Sequence, residues 1–227
     1  MNATLDAIPL LRLLQLSSPA LPVGAFAFSQ GLESAVSLGW IHDEASARSW
    51  LEGTLHEGLA RLDLPVFARL YRDYAANDER SARRWASYLV ASRESLERRL
   101  EDVQLARALT RLLTDQGVPP RAPYGADEEL PHAAPFALAA VHFGIPLREA
   151  MLGFAFSWVE NQVGALSRLV PLGQLAAQRV LAAVGAAIPC AVNVAATLSD
   201  ADLGSCLPGV ALATAFHETQ YSRLFKS

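Results

Sequence analysis

Lysine is nearly missing from this chain: of 19 basic residues only Lys226 is a lysine, so no G-x-x-x-x-G-K-[ST] loop can exist in it. P-loop nucleotide hydrolysis by the chain itself is therefore excluded. Cysteine is equally sparse. Cys190 and Cys206 form no C-x-x-C pair and complete no four-ligand zinc set with nearby histidines, and the simplest reading makes them buried free thiols. The five histidines, His42, His56, His132, His142 and His217, are dispersed, and none has a second His or Cys at the i+3 or i+4 spacing of a helical metal site. His217-Glu218 begins like H-E-x-x-H, but Tyr221 holds the second ligand position. Neither a G-x-S-x-G elbow nor a G-x-G-x-x-G turn occurs, so no catalytic residues, no metal site and no cofactor are expected.

Charge is also scarce. Charged residues are 19% of the chain, the net charge is -4, and the arginines of residues 43–111 alternate with acids, so nothing draws the protein to a phosphate backbone. Nucleic acid is not an expected partner. The first residues, Met1-Asn2-Ala3-Thr4-Leu5-Asp6, lack the basic start and apolar run of a secretory signal, which gives an expectation of a cytoplasmic protein.

Apolar side chains are abundant, at 52% of 227 residues, enough for a sizeable core with interfaces besides. They recur at helical spacing almost throughout, and no segment alternates as a half-buried strand would. The expected fold is all-α, a single-domain bundle of about ten helices covering residues 1–227. Helices are predicted over residues 8–16 and 26–38, the first ended by Pro19 and Pro22 and the second by Gly39. Asp43 is placed as an N-cap ahead of Leu51, Leu55, Leu59 and Leu62, and Asp63 as the cap of a helix whose stripe is Leu64, Phe67, Leu70, Tyr71 and Tyr74. Asn77-Asp78 should break that helix before one carrying Trp85 and Leu89. A long charged helix then buries Leu96, Leu100, Val103, Leu109 and Leu113 and ends at Gly117, its Glu and Arg pairs reading as a solvated face.

Residues 117–131, with four prolines and two glycines, read as an irregular intradomain loop. Beyond it, residues 131–143, 146–167, 171–187, 189–198 and 207–217 read as five helices with prolines near their first turns. Residues 180–199 carry no charge and have the length of a membrane span, but their alanine content and the central Pro189 and Asn193 favour a buried helix pair. No membrane association is expected.

Between the first two helices, residues 16–33 hold Pro19, Pro22, Gly24, Phe26, Phe28, Gln30, Gly31 and Glu33, a constrained backbone with few groups suited to proton transfer or attack. This stretch offers a shaped docking surface. Glu160-Asn161-Gln162 lies in an apolar helix with Gln162 near its buried stripe, either a satisfied core network or the lining of an interface or polar passage. Arg168, near the end of that helix, either complements the helix terminus or holds a partner's carboxylate with its planar fork. The tail, residues 218–227, places an exposed Leu224-Phe225 pair at a chain end, which ordering on a partner would explain. A small helical hydrolase or lyase using Glu160, Asn161 and His217 is the rival reading, against which stands the absence of a nucleophile, base and orienter at recognisable spacing.

Taken together, residues 16–33, Arg168-Leu169-Val170-Pro171-Leu172-Gly173-Gln174 and Arg223-Leu224-Phe225-Lys226-Ser227 closely resemble the urease accessory protein UreF family, in its order and spacing over essentially the whole chain. The resemblance implies an all-α homodimer without catalysis of its own, acting in nickel delivery to urease. It implies binding of UreD (also called UreH), recruitment and modulation of the GTPase UreG, docking on the urease apoprotein, and a contribution to a passage for nickel. The partner-binding residues it marks are Pro22, Gly24, Gln30, Gly31, Glu33, Arg168, Gln174, Arg223, Leu224 and Phe225. Arg168 stands where many members have lysine, keeping the charge but changing its geometry, and the tail is expected to order on UreD.

Overall fold

The computed structural model describes residues 6–119 and 129–227. Among the described residues there are ten α-helices and no strand: α1 Ala7–Leu16, α2 Leu32–Ser37, α3 Glu44–Thr54, α4 Asp63–Ala76, α5 Glu79–Ala91, α6 Leu96–Asp115, α7 Ala133–His142, α8 Leu147–Leu169, α9 Gln174–Thr197 and α10 Pro208–Glu218. Most of the loop expected over residues 117–131 lies outside the described residues.

Helix α4 is the hub. Its spacing buries Leu64, Phe67, Leu70 and Tyr74, and α5, α7, α8 and α9 all pack against it. Phe67 meets Phe136 of α7 and Phe154 of α8 at ring-centroid distances of 5.9 and 5.1 Å, and these two rings lie 5.3 Å from each other. Such tilted and edge-on pairs add to the stabilisation from area burial alone. Every helix contributes to one continuous apolar cluster, which runs from Leu16 of α1 to Phe225 of the tail.

Local signals place several boundaries. Asp43 accepts from the Ser46 amide at 2.8 Å while the Ser46 hydroxyl accepts from the Asp43 amide at 3.0 Å, a reciprocal cap for α3. Asn77 takes the left-handed conformation that stops α4, and Asp78 then caps α5 through the Ser81 amide.

Other expectations need correction. The helix predicted over residues 26–38 is divided: a 3-10 turn at Ala25–Ala27 gives way to extended Phe28, and α2 starts only at Leu32. Gln30 and Gly31, with φ of 58° and 80°, turn the chain by left-handed steps that no helix accommodates. Gly31 is required there twice over, since an added Cβ would lie 3.0–3.1 Å from Thr214 and Ala213 of α10. Asp63 does not cap α4; its carboxylate is taken by Arg93.

Helix α3 runs on through a π turn at Leu55–Leu59, so the Leu51, Leu55, Leu59 stripe spans two helical pitches. On α6, Leu96 and Leu100 are exposed while Glu101 and Asp102 are buried. The supposed pair over residues 171–198 is one helix, α9, with Pro189 inside it. An interior proline costs about 3 kcal/mol. Burial of Val184, Ile188 and Val192 along the same helix offsets that, at about 1.5–3 kcal/mol for each fully buried aliphatic side chain. Helix α9 is long and apolar enough to cross a membrane, but its inward face packs against α3, α4 and α8. Cys190 and Cys206 are free thiols, and both are exposed rather than buried.

Candidate functional site

Gln30 and Gly31 reverse the chain between Phe28 and α2, and the concave backbone this creates is filled by the protein's own C-terminal tail. The Lys226 amide donates to the Ala27 carbonyl at 2.8 Å, and the Ser29 amide donates to the Ser227 carbonyl at 2.8 Å. The Ser29 hydroxyl bonds the same Ser227 oxygen. Phe225 is buried at 4% exposure and Ser227 completely, whereas Leu224 stays 61% exposed. The expectation of an exposed Leu224-Phe225 pair is corrected accordingly: the Phe225 ring is housed within the chain and only Leu224 is left to solvent.

Two carboxylates on separate helices organise the tail. Glu33, in the first turn of α2, accepts from the amides of Leu224 at 2.7 Å and Phe225 at 2.9 Å. Glu97, in the first turn of α6, accepts from Arg223 Nη1 at 2.7 Å. Fully buried His217 of α10 stands between them, its Nδ1 2.6 Å from Glu97 and its Nε2 3.3 Å from Glu33. Arg168, in the last turn of α8, sets its guanidinium 4.2 Å from the Phe225 ring centroid and donates through Nη2 to the Phe26 carbonyl. A cation over an aromatic face contributes about 0.5–1 kcal/mol at an exposed site such as this. Arg168 thus joins the opening stretch to the tail as well as complementing a helix end.

Behind the tail a second polar layer runs inward. Ser227 Oγ donates to Glu101 Oε2 at 2.9 Å, Gln30 Nε2 donates to Glu101 Oε1 at 2.6 Å, and Trp158 Nε1 donates to Gln30 Oε1 at 2.8 Å. Glu101 also pairs with Arg98 at 3.0 Å. This chain borders a cavity of about 340 Å³, whose far wall holds the buried triad Asp63, Arg93 and Asp102. Arg93 reaches both acids at 2.7 Å, and Asp102 accepts from the His132 amide at 2.7 Å as well. Burial would pull the Arg93 guanidinium down, but the two carboxylates outweigh it and hold the group above its ordinary range.

His132 lines the same cavity. Burial pushes its imidazole down to about 4, the Asp102 charge opposing and the Arg93 charge assisting. Its Nε2 has no hydrogen-bond partner, and its ring packs on Phe136 and Phe154. Because the folded value lies below the unfolded one of about 6.5, the unfolded chain binds the extra proton between pH 6.5 and 4, and stability falls as pH drops through that window. Denaturant titration of His132→Phe, which keeps the aromatic packing, should show this loss reduced by about 2–3 kcal/mol relative to the parent chain at pH 4. Parallel pH profiles for the two proteins would show that His132 is not the group responsible.

Glu160 and Asn161 also line the cavity, and burial raises the Glu160 carboxyl. Asn161 Nδ2 lies 3.5 Å from the Phe28 carbonyl, and Gln162 is buried with Nε2 unpartnered. His217 does not line this cavity with Glu160 and Asn161; it stands between Glu33 and Glu97 instead. Among the described residues no group of three His, Cys, Asp or Glu side chains is arranged to hold a metal ion.

Of the residues singled out in the sequence, Gln30, Gly31, Glu33, Arg168, Arg223, Leu224 and Phe225 come together here. Pro22 is exposed on the same stretch, and Gly24 takes a left-handed φ of 81° ahead of Phe26. Gln174 opens α9, exposed, and makes no side-chain hydrogen bond to this group. Sequence reading missed Glu97, Glu101, Trp158 and the Asp63–Arg93–Asp102 triad. The available signal was that Glu97 and Glu101 share one face of α6 at i and i+4, with Asp102 on the adjoining one, among arginines that suggested a wet surface.

Several large exposed apolar side chains belong to α10, the tail and the opening stretch. Leu212 and Phe216 share one face of α10, Tyr221 and Leu224 follow in the tail, and Phe26 projects from the opening stretch. Arg168, Arg223 and Lys226 are exposed as well.

The family model for UreF matches residues 41–185. The chain is 49% identical to the urease accessory protein UreF of Chromohalobacter salexigens over 98% of this chain and 96% of that protein. It is 48% identical to the UreF of Psychrobacter cryohalolentis, over 100% of this chain and 97% of that protein. With the UreF of Marinobacter nauticus the identity is 45%, over 97% and 95% respectively.

Proposed function

This chain belongs to the UreF family of urease accessory proteins, and from that premise we propose that it is a non-catalytic component of urease maturation, assembling partners for insertion of nickel into the urease active site. In this reading the chain is one domain and pairs with a second copy in the cytoplasm. The docked tail and the exposed apolar residues of α10 take UreD (UreH), the Arg168 side engages the GTPase UreG, and the assembly docks on the urease apoprotein.

One observation carries the proposal: Leu212 and Phe216 on α10, and Tyr221 and Leu224 in the docked tail that follows it in the chain, are all large, apolar and exposed, at 51%, 49%, 105% and 61%. Large exposed apolar side chains held on an ordered backbone suit a protein interface and lose little entropy on binding.

The test is partner capture. Leu224→Asp and Phe216→Asp alter exposed side chains and should shift stability by no more than about 0.5 kcal/mol. Affinity for UreD should fall about tenfold or more, a loss of 1.4 kcal/mol or greater at the centre of an interface. Capture unchanged in both variants would place the UreD surface elsewhere.

A further inference from the structure

Glu33 is an acid in a place where an acid needs explaining. It is 8% exposed, and no lysine or arginine pairs with it in a salt bridge among the described residues. Its partners come from α10 and the residues after it: the Leu224 and Phe225 amides, Gln220 Nε2 at 3.3 Å and His217 Nε2 at 3.3 Å. A buried carboxylate without such donors would be strongly disfavoured, and hydrogen bonds to an ionised acceptor are about twice as strong as neutral ones. The two amides are consecutive, so one carboxylate fixes the backbone direction at the point where Phe225 turns inward and Leu224 turns outward.

We infer that Glu33 is the positioning residue of the C-terminal tail: it acts by holding residues 224 and 225 in the docked conformation, and is not itself a contact for the partner. Its burial beneath the tail leaves it almost no surface to offer another molecule. The neighbouring contacts fit this role. Ser29, four residues before Glu33, holds Ser227 through both its amide and its hydroxyl, and Arg168 covers the Phe225 ring that Glu33 directs inward. The side chains left outside by this clamp, Leu224 and Tyr221, are those that the proposed function gives to UreD; the clamp itself rests on the geometry and only its use rests on that reading.

The experiment is amide exchange at Leu224 and Phe225 in Glu33→Gln, a change that keeps the shape but removes the charge and aims an amide at one of the two donors. Exchange at both positions should accelerate about tenfold or more relative to the parent chain, in the protein alone or in its complex with UreD, while protection in α4 and α8 is retained. Glu33→Asp, which keeps the charge on a shorter arm, should restore part of the protection. Should Glu33→Gln prove poorly folded, its melting temperature is compared in chains ending at Ser222. The loss caused by the substitution should shrink by at least half without the tail, because the two backbone donors that the substitution disturbs are gone. Equal exchange in parent and variant, in the protein alone and in the complex, or an undiminished melting loss in the shortened chain, overturns the inference. Failure of UreD to bind at all leaves the exchange comparison in the free chain intact, so the two readings fail separately.

Discussion

Arg93→Ala should be the most damaging single substitution in this protein, lowering stability by about 3–5 kcal/mol. The Arg93 side chain is 6% exposed and its two acids, Asp63 and Asp102, are 12% and 9% exposed. Removing the cation leaves two carboxylates facing each other across the cavity wall, with little water to screen them. At about 2–4 °C per kcal/mol for a chain of this size, the melting temperature should fall by roughly 6–20 °C. Arg93→Lys should recover little, since a single ammonium cannot reproduce the planar fork that reaches both acids. Adding Asp63→Asn and Asp102→Asn to Arg93→Ala should restore much of the loss, because the penalty lies in the uncompensated charge. A small effect of Arg93→Ala alone would mean that solvent reaches the triad and that the cavity is open.

The second large effect concerns partner capture. A chain ending at Ser222 loses Phe225 from its groove, the amide donors to Glu33, and the Arg223 pairing with Glu97. Helical content should be unchanged, because the ten α-helices end at Glu218. Stability should fall by about 3–5 kcal/mol, the range for deleting a buried Phe side chain. Co-purification with UreD should disappear. Retained capture by a folded, shortened chain would remove the tail from the interface.

How far the sequence could be read depended on the range of the interaction. The stripe of α4, the Asn77-Asp78 break and the cap at Asp43 are local events within one or two helical turns, and each is where the pattern puts it. The all-α class follows from the same periodicity. What escaped was decided by partners far along the chain. Glu33 and the Leu224 amide are 191 residues apart, and nothing around either announces the other. On α6 the acids Glu97, Glu101 and Asp102 point inward because His217, Arg223, Gln30 and Arg93 meet them there. A pattern that sorts residues into apolar and charged assigns such a face to solvent. Pro189 likewise breaks a helix only when packing does not hold it, and Val184, Ile188 and Val192 do. The motifs of the candidate site were visible as family likeness, but their joining through Glu33, Arg168 and Ser29 was not.

The central claim is that this chain works by being covered by other proteins. Co-expression with UreD and UreG, followed by sizing of the purified material, tests it most directly. A discrete complex containing all three proteins, lost when the chain ends at Ser222, is the predicted result. A chain that elutes alone whatever is co-expressed with it, with or without its tail, would contradict the account.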